Sequence, residues 1–195
     1  MEAIRIARDQ SDNIGLTASL GNLTWLLRAL GLYRETFSVG VRVIGLAGDN
    51  QLLRGVVAQT YCHMSASAYV LMRFQQGIEC GRLASEALTA PGSMTEVINL
   101  MAILGNTIKN HLALAQTKEA RSCLVLMRRL SAAMPANSRA ALNVSLAEAM
   151  CEVADGSTAV GITRLLGLLD QTRGVPGLYI DNMEQLIRAY NASGN

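Results

Sequence analysis

The chain has 195 residues, of which 50% are hydrophobic, 16% are charged and 4% are aromatic, and its net charge is +2. This length suits one domain or one short solenoid. The charge is too mild to favour nucleic-acid binding, and charged or polar residues interrupt every apolar run before the ~18 residues of a membrane-spanning helix. No apolar signal peptide begins the chain, so we expect a cytoplasmic protein that binds neither nucleic acid nor membrane.

Composition and periodicity predict an all-α fold. Leu and Ala are strong helix formers, and no segment alternates long enough to be a strand. Apolar residues recur at spacings of four and three, as at Leu16, Leu20, Leu23, Leu27 and Leu30, which predicts one buried face. Gly and Pro residues separate the periodic segments. We predict ten helices, over residues 2–9, 12–30, 33–46, 50–71, 74–88, 93–113, 117–133, 137–153, 156–171 and 176–191.

The helices recur in pairs. The segment that begins at Leu30 has counterparts that begin at Leu71, Leu114 and Val153, at offsets of 41, 43 and 39 residues. Each segment carries a small residue at a shared position, where two antiparallel helices are expected to approach closely. These small residues are Thr36, Gly77, Ala120 and Ala159.

The pattern of Gly31, Tyr33 and Thr36, with a period of about 40 residues, resembles the tetratricopeptide-like superfamily. It is similar to the longer-helix variety of bacterial regulators, such as MalT-type activators and the sensory regions of diguanylate cyclases. The resemblance implies a right-handed α-solenoid of antiparallel helix pairs over residues 1–195. It also implies a non-catalytic protein-binding, peptide-binding or sensory module of a signalling or transcription regulator. The alternative is a receptor that senses a metabolite or signal peptide inside the superhelix.

No residue pattern predicts catalysis, a metal or a cofactor. His63 and His111 do not occupy equivalent positions in the repeat, which disfavours their pairing as ligands. The four cysteines lie far apart in sequence, which fits neither a zinc site nor a redox motif and favours buried free thiols. We therefore expect that the chain is not an enzyme.

The resemblance places the binding surface on the concave face, which is lined by the first helix of each pair. The expected partner-binding residues are Trp25, Arg28, Gln59, Tyr69, Asn106, Lys109 and Glu148. We expect Trp25, Arg28, Tyr69 and Lys109 to share one surface, because Trp, Tyr and Arg are enriched at binding hot spots. Asn110 is expected to extend the polar patch around Asn106 and Lys109.

Both termini predict incomplete pairs. Residues 2–9 look like the end of a second helix, and residues 178–190 look like the first helix of a fifth pair. The expected chain is therefore a fragment of a longer multidomain protein, separated from its output domain. Exposed apolar faces at these ends predict a homodimer through residues 1–10 or 178–190.

Overall fold

The computed structural model describes residues 2–10, 12–88, 91–132, 134–135 and 138–194, with the exception of the side chain of Pro176. Within these residues the protein is all α-helical, as predicted. The ten helices are α1 (Glu2–Asp9), α2 (Asn13–Ala29), α3 (Tyr33–Ala47), α4 (Arg54–Val70), α5 (Phe74–Ala87), α6 (Met94–Ala113), α7 (Thr117–Ser131), α8 (Arg139–Ala154), α9 (Thr158–Thr172) and α10 (Pro176–Ser193).

Most predicted helix boundaries lie within two residues of the observed ones, one differs by more, and two lie outside the described residues. The predicted helix over 50–71 begins as a separate 3-10 turn at Gln51–Leu53, because the Asn50 side chain accepts a hydrogen bond from the Leu52 amide and caps that turn first. The predicted boundaries at 133 and 137 lie outside the described residues.

Contacts divide the chain into two compact units, residues 1–110 and 111–195, and α6 crosses the boundary between them. The interpretation of residues 1–195 as one domain stays a prediction, as does the right-handed superhelix.

Four helix pairs share one turn geometry: α2–α3, α4–α5, α6–α7 and α8–α9. In each pair a single residue with positive φ follows the first helix, and we call it the turn residue. The amide of the next residue donates to the carbonyl four residues before the turn residue, over 2.8 to 2.9 Å in all four pairs, which closes the first helix in a Schellman motif. The turn residues are Gly31, Met72, Ala115 and Gly156.

The turn residues correct the predicted alignment of the fourth pair. Gly156 has a φ of +84° and stands 41 residues after Ala115, whereas the sequence comparison had put Ala154 in this place. The small residue of the fourth pair is therefore Gly161 and not Ala159, because Gly161 is buried and Ala159 is exposed. A Cβ atom on Gly161 would lie 2.9 Å from the carbonyl oxygen of Ala149, so the close helix crossing occurs at Gly161.

In the first unit, the first helices of successive pairs run parallel to one another. A Cβ atom on Gly21 of α2 would lie 2.7 Å from the Val56 side chain of α4, and seven residues further on Arg28 interacts with His63. The second helix of a pair runs antiparallel to the first helix of the next pair. Gly77 of α5 lies against Asn110 of α6, and Gly81, four residues later in α5, lies against Thr107. Thr107 precedes Asn110 in α6, so the two helices run in opposite directions.

The core of the first unit begins where α1 covers the first half of α2. Ile4, Ala7, Leu16, Leu20 and Val43 form one buried cluster. Burial of each large aliphatic side chain contributes about 1.5–3 kcal/mol.

The predicted buried stripe of α2 fades toward the end of that helix. Leu23 and Leu27 are half-buried, and Leu30, which is the C-cap of α2, is exposed.

Candidate partner-binding site

The side of α2 that carries Trp25 is open to solvent. Trp25 is 55% exposed, and Leu26 beside it is also exposed. Later helices bury the positions equivalent to Leu26, which are five residues before the turn residue: Ser67, Asn110 and Cys151. The exposure of Trp25 and Leu26 is therefore a property of α2 and not of the repeat.

Arg28 lies one turn after Trp25, at the junction of α2 and α4. Its Nε atom is buried without a hydrogen-bond partner, and none of the carboxylates that the structure describes forms an ion pair with its guanidinium. Burial and the charge of Arg28 lower the pKa of His63 to about 4, so the imidazole of His63 is neutral near pH 7. A buried donor without a partner costs free energy, so the Nε atom of Arg28 is a local weakness of this junction.

Gln59 and Tyr69, both on α4, differ in their surroundings. Gln59 is exposed, as expected for a contact residue. Tyr69 is buried, and its ring packs on that of Phe74 with centroids 5.8 Å apart and planes tilted by 57°. The aromatic residue that begins α5 therefore covers the Tyr69 ring, and the expectation that Tyr69 shares one concave surface with Trp25 stays a prediction.

The polar patch expected on α6 is mostly internal. Asn106 is half-buried, and its Nδ2 donates to the carbonyl oxygen and the Sγ atom of Cys62, both at 3.4 Å. Asn110 is completely buried and donates to the Ser65 carbonyl at 3.3 Å. Lys109 is also buried. The amides of Asn106 and Asn110 join α6 to α4, and the burial of Lys109 leaves this side chain little exposed surface.

Glu148 lies in the second unit, where it joins three helices. It forms ion pairs with Arg128 of α7 at 2.7 Å and with Arg164 of α9 at 2.9 Å, and Arg164 also pairs with Glu152 at 2.8 Å. With Gly156 as the turn residue, Met150 and not Glu148 is the equivalent of Lys109. Its contact with a partner stays a prediction, but its carboxylate already has two internal partners.

Sequence reasoning did not single out Leu26, which is exposed beside Trp25, or His63, on which the charge of Arg28 acts. A comparison of equivalent positions in the repeat could have found Leu26. At this position α2 carries a large apolar residue, whereas α4 and α6 carry the polar residues Ser67 and Asn110. The environment of His63 depends on the contact of α4 with Arg28, which no local pattern shows.

Burial controls the cysteine thiols. It raises the pKa of Cys80 and of Cys151 to about 11 and also raises the pKa of Cys123, which keeps these thiols protonated near pH 7. Across the described ranges, no three His, Cys, Asp or Glu side chains are grouped so that they could hold a metal ion.

In the part of the chain that the structure describes, every helix is too short or too polar to cross a membrane.

The comparisons with known proteins identify no relative of this chain. No protein-family model, curated protein or solved structure matches this chain, so its resemblance to the tetratricopeptide-like proteins rests on the repeated helix pairs alone.

Proposed function

We propose that this chain is a non-catalytic, tetratricopeptide-like module of a cytoplasmic signalling or transcription regulator, and that it binds a protein or peptide partner on the open side of α2. The observation that carries the proposal is the exposure of Trp25 and Leu26 beside Arg28. Trp and Arg are the residue types most enriched at binding hot spots, and a docked partner would bury the open indole.

The charges of the first unit favour a partner with a carboxylate. Helices α2 and α4 contain no Asp or Glu, and the only acidic residue of α6, Glu96, pairs with Arg54 at 3.0 Å. Glu35 lies in the first turn of α3, across the turn from Arg28, but none of the described ion pairs within 4 Å involves the Arg28 guanidinium. We propose that an Asp, Glu or terminal carboxylate of the partner lies beside Arg28 while apolar side chains cover Trp25 and Leu26.

Selection of a displayed random-peptide library on the immobilised protein tests this proposal. We expect enriched peptides that combine apolar residues with Asp or Glu, and that change the emission of Trp25, the only tryptophan of the chain. Trp25→Ala should weaken their binding by about tenfold or more. Arg28→Ala should weaken acidic peptides most, and added salt should reduce that difference.

Leu52→Ala is the matched control, because Leu52 is an exposed apolar residue of the same unit that precedes α4 instead of ending α2. Equal binding by the wild type and Trp25→Ala would show that the proposed site is wrong. Failure to enrich any peptide would contradict peptide binding and would leave the small-ligand receptor as the better hypothesis.

A further inference from the structure

Helix α10 presents an unpartnered apolar stripe in the second unit. Ile180, Met183, Ile187 and Tyr190 follow one another at spacings of three, four and three residues, and all four are exposed. The opposite side of α10 packs on α9 and α8 through buried residues that include Leu186 and Ala189. The stripe is therefore a second apolar face of α10, separate from the face that holds this helix in the unit.

The position of Gly194 places α10 in the repeat. Gly194 has a φ of +76° and ends α10 as the turn residues end the other first helices. Counted back from Gly194, the buried Ala189 is equivalent to Asn110 and Cys151, which are also buried. By this count α10 matches the first helices of the other pairs, and the expectation that residues 178–190 begin a fifth pair stays a prediction.

Two positions of the exposed stripe, those of Ile180 and Ile187, are buried in every earlier first helix. Seven residues before its turn residue, α10 carries Ile187, which is 57% exposed, whereas the equivalent side chains are 0% exposed: Thr24, Ser65, Ile108 and Ala149. Fourteen residues before it, Ile180 is 65% exposed, whereas the equivalent side chains are at most 5% exposed: Thr17, Ala58, Met101 and Leu142.

The second helix of the same pair covers these positions elsewhere in the chain. Ser65 donates its hydroxyl to the carbonyl oxygen of Gly77 in α5 at 2.8 Å. In the fourth pair, the backbone of Ala149 lies so close to Gly161 of α9 that no Cβ atom would fit at that glycine. In both pairs the covering helix is antiparallel and brings a glycine to the crossing.

We infer that α10 is a docking site for one amphipathic helix of a partner, which lies antiparallel to α10 along the Ile180–Tyr190 stripe and places a small residue opposite Ile187. Ile187 is larger than its equivalents Ser65 and Ala149, so a glycine or alanine in the partner leaves the space that this side chain needs. The partner helix repeats an interface that the chain already builds with α5 and α9.

The size of the stripe favours a single helix over a second copy of the chain. A stable protein–protein interface buries about 800 Å² on each partner. Four side chains, of which the most open is 65% exposed, supply only part of that area. A single docked helix requires no apolar surface beyond the stripe, because an amphipathic helix packs on its neighbour through one apolar stripe of this width.

A labelled peptide with the sequence of residues 158–172 is the probe, because α9 covers α8 in the way inferred for α10. The full chain should raise the fluorescence anisotropy of this peptide saturably, with a Kd below about 1 mM. Ile187→Asp should weaken binding at least tenfold, because the carboxylate would be buried without a partner. A peptide that carries Gly161→Leu should also bind at least tenfold more weakly.

Val160→Asp in the protein is the control, since Val160 is 55% exposed on another helix and should leave binding unchanged. Circular dichroism should show that both aspartate variants keep the wild-type helix content. The inference is overturned if the peptide does not saturate by about 1 mM, or if Ile187→Asp or the leucine peptide binds like the wild type. It is also overturned if sedimentation shows a dimer that Ile187→Asp dissociates, because a second copy would then occupy the stripe. None of these outcomes depends on Trp25, so the test is independent of the proposed function.

Discussion

Replacement of either non-glycine turn residue by glycine should stabilise the protein. Met72 has a φ of +57° and Ala115 has a φ of +56°, in the left-handed region that disfavours residues with a Cβ atom. The Met72 side chain is 77% exposed, so its removal gives up little packing.

The expected gain follows from two opposing terms. Relief of the left-handed strain is worth about 1–2 kcal/mol, whereas the added freedom of glycine in the unfolded chain costs about 0.4–1 kcal/mol. Met72→Gly and Ala115→Gly should therefore each raise the free energy of unfolding by about 0.5–1 kcal/mol. The reverse changes, Gly31→Ala and Gly156→Ala, should lower it by a similar amount, because φ is also positive there and no neighbour lies within 4 Å of an added Cβ atom.

Urea unfolding followed by circular dichroism measures these differences. The two glycine variants should raise the urea concentration at the unfolding midpoint, and the two alanine variants should lower it. The dependence of the unfolding free energy on urea should not change, since none of the four changes alters the buried surface. A loss of stability in Met72→Gly, or a neutral Gly156→Ala, would refute the assignment of these residues as left-handed turn positions.

Two further predictions concern buried polar contacts. Gly77→Ala should destabilise the protein by about 1–3 kcal/mol in urea unfolding, because its Cβ atom would lie 2.3 Å from Oδ1 of the buried Asn110. Gly45→Ala, with nothing within 4 Å, should be neutral or stabilising, and equal effects of the two changes would contradict the close packing of α5 on α6. The pKa of His63 is lowered from 6.5 in the unfolded chain to about 4 in the folded protein. Between these pH values the unfolded state binds a proton that the folded state does not, so the stability of the protein falls as the pH drops from 6.5 toward 4. His63→Gln should remove on the order of 2 kcal/mol of that loss at pH 4.5, and an unchanged pH dependence of urea unfolding would show that His63 is not shielded.

The sequence by itself determined the number and type of the helices. Apolar spacing, helix-forming composition and the Gly and Pro breaks are local signals, and local backbone preferences decide where a helix begins and ends. The sequence also predicted a helix over residues 176–191, because the apolar period continues there, and α10 confirms it. It could not place the fourth turn, since similarity around Val153 outweighed Gly156, the residue whose lack of a Cβ atom permits the positive φ.

Only the tertiary structure decided which polar and aromatic residues remain accessible. Trp25, Lys109 and Met150 occupy equivalent positions in their helices, yet Trp25 is open and the other two are buried. Exposure depends on which helix packs on each face, and the spacing of residues within one helix carries no information about its neighbours. The same reason explains why Ile187 is exposed on α10 while the equivalent Ala149 is buried: α9 covers that face of α8, and none of the described residues covers it on α10.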